Sequence, residues 1–223
     1  MIEINNLYFS YNKLPPFILN NINLIIKKGD YVSILGENGS GKSTLVKLIL
    51  KIIKPCKGKI NINTSKIGYV PQRFDSFNSQ FPITVFEVLN SHRKAIGIKD
   101  IDLVQKSLEI VNMEAYKNTL IGNLSGGQQQ KIFIARAIMG NPKLLLLDEP
   151  STGIDAQSQK EIYTIIRDLN RKLGVTVITI EHNLEAAIAN SNYIFELNNG
   201  NGLLRSINEY KKRLLEVNAN ATV

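Results

Sequence analysis

Residues 36–43 read GENGSGKS, a glycine-rich loop between a short apolar run and a stretch with helical periodicity. The loop matches the phosphate-binding pattern G-x-x-x-x-G-K-S/T in full, and it has the strand before it and the helix after it that this pattern needs. Gly36, Gly39 and Gly41 allow the backbone to turn successive N–H groups toward one anion. Lys42 can reach the β- and γ-phosphates of a nucleotide, and the hydroxyl of Ser43 can hold Mg²⁺. This stretch therefore predicts a phosphate-binding loop.

Around this loop the apolar pattern alternates between strand and helix. Before the loop, residues 22–26 and 31–35 read as strands, and an alternating run at residues 2–7 reads as a half-buried strand. After the loop, residues 43–53 show helical periodicity that we expect to stop near Pro55. The first part of the chain is therefore predicted to be strand-rich, with the loop opening a helix.

Residues 74–140 have mainly helical periodicity, and the strand-helix alternation then returns. The later predicted elements are a strand at 143–148, a helix at 157–173, a strand at 175–180 and a hairpin with strands at 193–197 and 203–205. Strands that alternate with helices imply parallel pairing in a covered sheet. The prediction is an α/β fold: a P-loop NTPase core with a mainly parallel sheet, an N-terminal antiparallel β part and an inserted helical subdomain. The core takes about residues 1–73 and 141–223, and the subdomain takes about 74–140.

Composition narrows the class of protein. A net charge of +8 fits nucleotide, anionic lipid or nucleic acid as a partner, but the basic residues read as scattered, with the nearest approach to a cluster at residues 211–213. A single cysteine, Cys56, allows no internal disulfide and fits a reducing compartment. No apolar run is long enough to cross a bilayer, and no leader pattern opens the sequence. We therefore expect a cytoplasmic chain that reaches a membrane only through a partner.

Two acids follow the apolar run at residues 144–147, namely Asp148 and Glu149. In a parallel sheet the carboxyl ends of the strands form the ligand crevice, so acids at this point are well placed for chemistry. Asp148 can hold Mg²⁺ through its water shell, because this cation prefers oxygen ligands and keeps several waters. Glu149 can accept the proton of an attacking water. The same two acids could instead be a helix cap or a pair of surface acids.

Residues 124–128 read LSGGQ and open a predicted helix at 129–139. Together with the phosphate-binding loop and the two acids, in this order, the stretch resembles the ATP-binding subunits of ABC transporters over about residues 2–212. The resemblance implies ATP binding with Mg²⁺ and ATP hydrolysis coupled to transport, with Glu149 as the catalytic base. It also implies a homodimer in which LSGGQ of one copy closes on the γ-phosphate held by the other. Backbone donors and the positive end of a helix suit that contact.

The same resemblance assigns further roles at matching positions. Tyr11 resembles the aromatic residue that stacks on adenine, although Tyr8 and Phe9 compete for this role. Gln72 resembles the glutamine that touches Mg²⁺ and the attacking water and that hinges the helical subdomain. His182 resembles the histidine that contacts the γ-phosphate. Asn183 follows it where many family members carry an acid, and this difference alters the electrostatic field at the histidine.

Residues 151–155 (STGID) resemble the segment that crosses to the partner subunit, with Asp155 as its acid. The residues predicted to contact ATP are Tyr11, Gly36, Glu37, Asn38, Gly39, Ser40, Gly41, Lys42, Ser43, Thr44, Ser125, Gly126, Gly127, Gln128 and Asp155. The residues predicted to act in catalysis are Glu149, His182 and Gln72, and those predicted to hold Mg²⁺ are Ser43, Gln72 and Asp148.

The predicted partners are polytopic membrane permease subunits and an extracytoplasmic substrate-binding protein, with the chain at the cytoplasmic face of the membrane. Residues 81–88 are predicted to meet the permease, and residues 81–88 and 124–131 are similar to those of ATPases from bacterial zinc and manganese importers. Another importer, for cobalt or an iron chelate, and a small exporter would look much alike.

Functions outside transport stay open on the sequence alone. Some ABC ATPases act on DNA or ribosomes, but these usually carry two cassettes or a long insert, and neither is present in this chain. A regulator that binds nucleotide without hydrolysis would be expected to lack Glu149. We therefore expect no nucleic acid partner.

Overall fold

The computed structural model describes residues 1–72 and 82–220, with side chains of the last helix as far as residue 216. The starts of two predicted segments, residues 74–81 of the helical subdomain and Phe81 of the permease-contacting segment, lie outside the described residues. The chain divides into two compact units. The first unit consists of residues 1–65 and 176–223, and the second unit consists of residues 66–175.

Strands and helices alternate along most of the described chain. The strands are β1 (Ile2–Phe9), β2 (Leu19–Ile26), β3 (Tyr31–Leu35), β4 (Lys57–Ile62), β5 (Ile67–Val70), β6 (Leu144–Asp148), β7 (Thr176–Ile180), β8 (Tyr193–Asn198) and β9 (Asn201–Ser206). The α-helices are α1 (Lys42–Ile49), α2 (Val85–Ala95), α3 (Asp102–Ile110), α4 (Gly126–Ile138), α5 (Ala156–Leu173), α6 (Leu184–Asn190) and α7 (Ile207–Asn220). The α/β class and the antiparallel N-terminal part are as predicted.

The first unit contains two groups of strands. An antiparallel group has the order β2-β1-β4, and alternate residues of β1, including Ile2 and Ile4, are buried. In the other group β3 lies between β7 and β8 and is parallel to both, while β9 pairs antiparallel with β8. All five residues of β3 are buried, which explains its mainly apolar sequence, and the one polar side chain, Ser33, hydrogen-bonds to Thr179 of β7. The predicted hairpin is confirmed: Asn199 and Gly200 both have positive φ in the turn between β8 and β9.

The second unit combines a parallel strand pair with the helices α2 to α5. Strand β5 pairs with β6, with Tyr69 opposite Leu146. Helix α4 lies close to β5, since a Cβ at Gly68 would collide with the carbonyl oxygen of Ala137. Helices α4 and α5 are joined by a salt bridge between the buried Lys131 and Glu161, and this pair lowers the pKa of the Glu161 carboxyl. The carboxyl ends of β5 and β6 therefore lie side by side on a packed helical support.

Four details differ from the sequence predictions. Helix α4 begins at Gly126 rather than at residue 129, because Ser125 already caps it. Helix α1 ends at Ile49 rather than near residue 53, because Lys51 takes a left-handed backbone conformation (φ 59°) and the N–H of Ile52 turns back to the carbonyl of Lys47. Helix α6 was not predicted. Helix α7 was not predicted either, and it packs Tyr210 beside Leu35, Ala187 and Ile194. No helix among the described residues is both long enough and apolar enough to span a bilayer.

Candidate functional site

The phosphate-binding loop of the first unit connects β3 to α1. Gly36 must be glycine because a Cβ there would collide with the carbonyl oxygen of Leu197 in β8. Gly39 and Gly41 have φ of 81° and 101°, a region that side chains strongly disfavour. Gly41 is the N-terminal cap of α1, and no side chain caps this end of the helix. The start of α1 can therefore take an anionic ligand in place of a side-chain cap.

Lys42 is buried, with 6% of its surface exposed, and its ammonium donates to the carbonyl oxygens of Gly36 at 2.8 Å and Glu37 at 2.9 Å. The side chain therefore folds back over the loop. The hydroxyl of Ser40 is buried and has no hydrogen-bond partner among the described residues. The first turn of α1 contains no acid. A buried lysine, an unsatisfied hydroxyl and a helix start without acids fit a phosphate group.

Tyr11 lies just after β1 and is 63% exposed. Its ring meets Phe9 edge to face at 5.1 Å, and its hydroxyl lies 3.4 Å from that of Thr44 in α1. Phe9 is 5% exposed, and Tyr8 packs edge to face on Phe17 at 5.4 Å. Of the three aromatic candidates, Tyr11 is thus the one with an open ring beside the helix that follows the phosphate-binding loop.

His182 is exposed and follows the carboxyl end of β7, whose Ile180 lies opposite Ile34 of β3. The N–H of Glu181 donates to the carbonyl of Ile34 at 3.1 Å, which fixes the backbone just before the histidine. Asn183 caps α6, because its Oδ1 accepts from the N–H of Ala186 at 3.1 Å. The residue that departs from the family pattern therefore has a local role as a helix cap.

In the second unit Gln72 and Glu149 come together. Each follows the carboxyl end of its strand, and the Nε2 of Gln72 donates to the Oε2 of Glu149 at 2.8 Å. The hydroxyl of Thr152 donates to the same oxygen at 3.1 Å. Glu149 has φ of 51°, a strained conformation for a residue with a side chain. Two donors and a fixed backbone therefore hold this carboxylate in one orientation.

Asp148 is the last residue of β6 and is 6% exposed. Burial, and secondly the negative charge of Asp148, raises the pKa of the Tyr69 phenol on the neighbouring strand. No group of three or more histidine, cysteine, aspartate or glutamate side chains in residues 1–72 and 82–220 could enclose a metal ion. One buried carboxylate together with hydroxyl and amide oxygens suits Mg²⁺, which keeps waters and substrate phosphates as its other ligands.

The LSGGQ stretch forms the start of α4. Ser125 is the N-terminal cap, and its hydroxyl accepts from the N–H of Gln128 at 3.3 Å while the Oε1 of Gln128 accepts from the N–H of Ser125 at 2.9 Å. This reciprocal pair is a capping box. Gly127 leaves no room for a Cβ, which would collide with Ser158 of α5. The first turn of α4 has no acid, so it presents a positive helix end.

Asp155 caps α5, and its Oδ1 accepts from the N–H of Ser158 at 2.9 Å. This bond is the main cause of the lowered pKa of the exposed Asp155 carboxyl. The segment before it is also supported from α5, since the Nε2 of Gln159 donates to the carbonyls of Ser151 and Ile154 at 3.2 and 2.8 Å. Ser151 and Tyr163 share a 2.8 Å hydroxyl hydrogen bond.

Two glutamines that were not predicted as part of the site, Gln159 and Gln129, support its loops. The Nε2 of Gln129 donates to the carbonyls of Ile121 and Leu124, both at 3.1 Å, and so holds the loop before the LSGGQ stretch. Each glutamine comes four residues after a helix cap, Ser125 or Asp155. This spacing is the signal that could have identified them.

Known proteins are similar to this chain in sequence and in fold. A family model described as "ABC transporter" matches residues 19–152. The "Probable metal transport system ATP-binding protein" of Treponema pallidum is 47% identical over 216 residues, which cover 97% of this chain and 90% of that protein. The "Zinc uptake system ATP-binding protein ZurA" of Listeria monocytogenes is 37% identical over 97% of this chain and 90% of its own length.

Among solved structures, the ATP-binding cassette MJ0796, in a dimeric post-hydrolysis state bound to ADP and Pi, is similar to this chain with a TM-score of 0.76 and 28% identity. The match covers 93% of this chain and 99% of that one. The chain therefore belongs to the ABC transporter family, as one of its ATP-binding and ATP-hydrolysing cassettes.

Proposed function

We propose that this chain is the ATP-hydrolysing subunit of an importer for a transition-metal ion, zinc or manganese. The observation that supports a metal ion as the cargo is the similarity, over 97% of the chain, to proteins named for metal transport and for zinc uptake. The chain would act at the cytoplasmic face of the membrane as a homodimer that drives polytopic permease subunits. An extracytoplasmic substrate-binding protein would deliver the metal.

In the first unit, the N–H groups of residues 36–44 and the ammonium of Lys42 would bind the phosphates of ATP. Lys42 already lies within the loop, so a bound phosphate would replace its bonds to two carbonyl oxygens. Tyr11 would stack on adenine, with its hydroxyl kept near Thr44. His182 would donate to the γ-phosphate from the end of β7.

In the second unit, Glu149 would accept the proton of the attacking water, and Gln72 would orient both. Gln72 and Asp148 would supply oxygen ligands to Mg²⁺ from this unit, and we propose Ser43 of the first unit as a further ligand. When bound, Mg²⁺ neutralises charge on the phosphate oxygens. The capped start of α4, Ser125 with the following glycines, would meet the γ-phosphate bound by the partner copy.

The division into a core of about residues 1–73 and 141–223 and a helical subdomain of about 74–140 is part of this proposal. The permease would meet the region where α2 begins, in residues 82–88. Thr84 and Glu87 form a capping box there, with Glu87 Oε2 accepting from the Thr84 N–H at 2.8 Å. A rigid helix start of this kind suits a contact that must transmit force.

The adenine contact can be tested at Tyr11. We expect Tyr11→Ala to weaken ATP binding about fivefold, because stacking on an aromatic ring is worth roughly 1 kcal/mol. Tyr11→Phe keeps the ring and should bind ATP nearly as the native protein does. Titration with a fluorescent ATP analogue measures both, with Tyr8→Ala as the matched control. A larger loss in Tyr8→Ala than in Tyr11→Ala would reassign the stacking residue.

Metal import can be tested in cells from which the gene for this chain is deleted. We expect uptake of radioactive zinc or manganese to fall at least about tenfold at limiting metal, and growth to become sensitive to chelators, because the uphill step loses its energy source. The native gene should restore uptake, and a Lys42→Ala gene should not. Unchanged uptake of both metals would contradict the cargo, and a gain in cell metal would indicate an exporter.

A further inference from the structure

The first unit carries a strongly basic surface that the ATPase activity does not use. It consists of Lys47, Lys51, Lys54, Lys57 and Lys59, which we call the lysine face. All five side chains are exposed. In the sequence the basic residues read as scattered, with the nearest approach to a cluster at residues 211–213, so this surface was not predicted. Its signal is the absence of acids: residues 38–74 contain no aspartate or glutamate.

The backbone keeps these lysines close together. After α1 ends, the N–H of Ile52 bonds to the carbonyl of Lys47 at 2.9 Å, so the chain folds back over the last helical turn. The chain then enters β4, whose first residue is Lys57 and which also carries Lys59. The positive φ of Gly58 (86°) and a shift in the pairing with β1 interrupt the regular alternation of the strand here, and Lys57, Gly58 and Lys59 are all exposed. Helix α1 also contacts β4. The charges therefore sit on one continuous turn-and-strand surface.

Within the described part of the chain, none of the five lysines forms a salt bridge. The ammonium of Lys57 lies 5.9 Å from the centre of the Tyr8 ring, which does not neutralise it. The acid nearest along the paired strands is Glu3, which lies opposite Asn61 and accepts from the Nδ2 of Asn5 at 2.9 Å. The positive charge of the lysine face is thus left for an external partner.

The lysine face also has an apolar member. Ile52 is 64% exposed and stands between Lys51 and Lys54. An exposed aliphatic side chain flanked by lysines suits the boundary between headgroups and acyl chains, where the chain can insert while the ammonium groups stay in water. Nucleic acid fits less well, because residues 38–65 contain no arginine for bidentate phosphate or base contacts.

We propose that the lysine face binds the anionic lipid headgroups of the membrane directly, with Ile52 inserted between them. This goes beyond the proposed function, since the contact needs no permease and does not depend on the cargo. It would hold the subunit at the bilayer before and between its encounters with the permease. Because surface charges attract anionic lipids over about one Debye length, the binding must weaken as salt is raised.

The test uses the purified full chain and sedimentation with lipid vesicles. Native protein should bind vesicles of phosphatidylcholine mixed with phosphatidylglycerol, and it should not bind vesicles of phosphatidylcholine alone. Each lysine at an anionic surface contributes about a fivefold gain in partitioning, so neutralising four should weaken binding roughly a hundredfold or more. Ile52→Ser should weaken it further and independently of salt. The four-lysine variant is Lys51→Gln, Lys54→Gln, Lys57→Gln and Lys59→Gln.

A control variant removes the same charge from exposed lysines elsewhere and should bind vesicles within a few-fold of the native protein. It carries Lys99→Gln, Lys160→Gln, Lys211→Gln and Lys212→Gln. Both variants should keep the native ATPase rate, which shows that they fold. Equal vesicle binding by the native protein and the four-lysine variant would overturn the proposal, as would an equal loss in the control. Tighter binding to a DNA duplex than to anionic vesicles at the same salt would assign the lysine face to nucleic acid instead.

Discussion

Glu149→Gln is expected to lower the rate of ATP hydrolysis about a thousandfold while leaving ATP binding intact, because general-base catalysis contributes between a hundredfold and ten thousandfold. The amide has nearly the shape of the carboxylate but cannot take a proton from water. Its oxygen can still accept from the Nε2 of Gln72 and the hydroxyl of Thr152, which bond to Oε2 in the native protein. The local geometry should therefore survive the substitution.

The variant should also accumulate as a dimer in ATP. If ATP joins two copies and hydrolysis releases them, a copy that binds without hydrolysing stays closed, since a ligand shifts an equilibrium through its unequal affinity for two states. Phosphate release measures turnover, and size-exclusion chromatography with and without ATP measures the dimer. Glu114→Gln, an exposed acid in the same unit, is the matched control and should behave as the native protein. Hydrolysis by Glu149→Gln within tenfold of the native rate would remove Glu149 from the role of base.

Elements with strong apolar patterns could be predicted from the sequence. Strand β3 was predicted with its observed bounds, residues 31–35, because a fully buried parallel strand reads as one apolar run. The strand predicted at residues 143–148, observed as Leu144–Asp148, and the final hairpin were predicted for similar reasons, the hairpin with help from its Asn199-Gly200 turn. In these cases burial or turn chemistry imposes a local pattern on the sequence, so the element can be predicted from the sequence alone.

Elements set by single backbone angles or by tertiary packing could not be predicted. The end of α1 depends on the positive φ of Lys51, which nothing in the sequence marks. Helix α7 has an apolar face that makes sense only against Leu35 and Ile194, which are distant in the sequence. Nothing in the sequence indicates the strained φ of Glu149 either, although this angle fixes the orientation of the predicted base.

For the site, too, the sequence predicts which residues take part but not all of the contacts that their side chains make. Motif spacing could identify Ser125 and Asp155, and the structure shows that both are helix caps. For Ser125 the S-x-x-Q spacing of a capping box was a signal that could have predicted the cap. The family resemblance predicts roles for Ser125 and Asp155 at a partner's nucleotide. The structure adds that each already satisfies an N–H of its own helix. Any contact with a partner copy must therefore use the remaining lone pairs of these oxygens or the backbone around them.

The role of Ser125 leads to the second large effect. We expect Ser125→Arg to reduce ATP hydrolysis at least about a hundredfold, comparable to removing an essential donor from a site that stabilises developing charge. The native hydroxyl is small and exposed at the positive end of α4, where a partner's phosphate could approach. An arginine there would fill that space and hold the two copies apart. Binding of ATP to one copy should survive, because the phosphate-binding loop takes no part in the change.

Loss of the helix cap must be separated from loss of the dimer contact. Ser125→Ala removes the same capping hydroxyl at a cost of about 1 kcal/mol but adds neither bulk nor charge, so its hydrolysis should fall only a few-fold. Asn118→Arg places an arginine at another exposed point of the second unit and should leave hydrolysis unchanged. In a Glu149→Gln background, Ser125→Arg should bind ATP and remain monomeric, whereas Ser125→Ala should still dimerise. A stable ATP-dependent dimer of the arginine variant would mean that the LSGGQ stretch does not close on the partner's nucleotide.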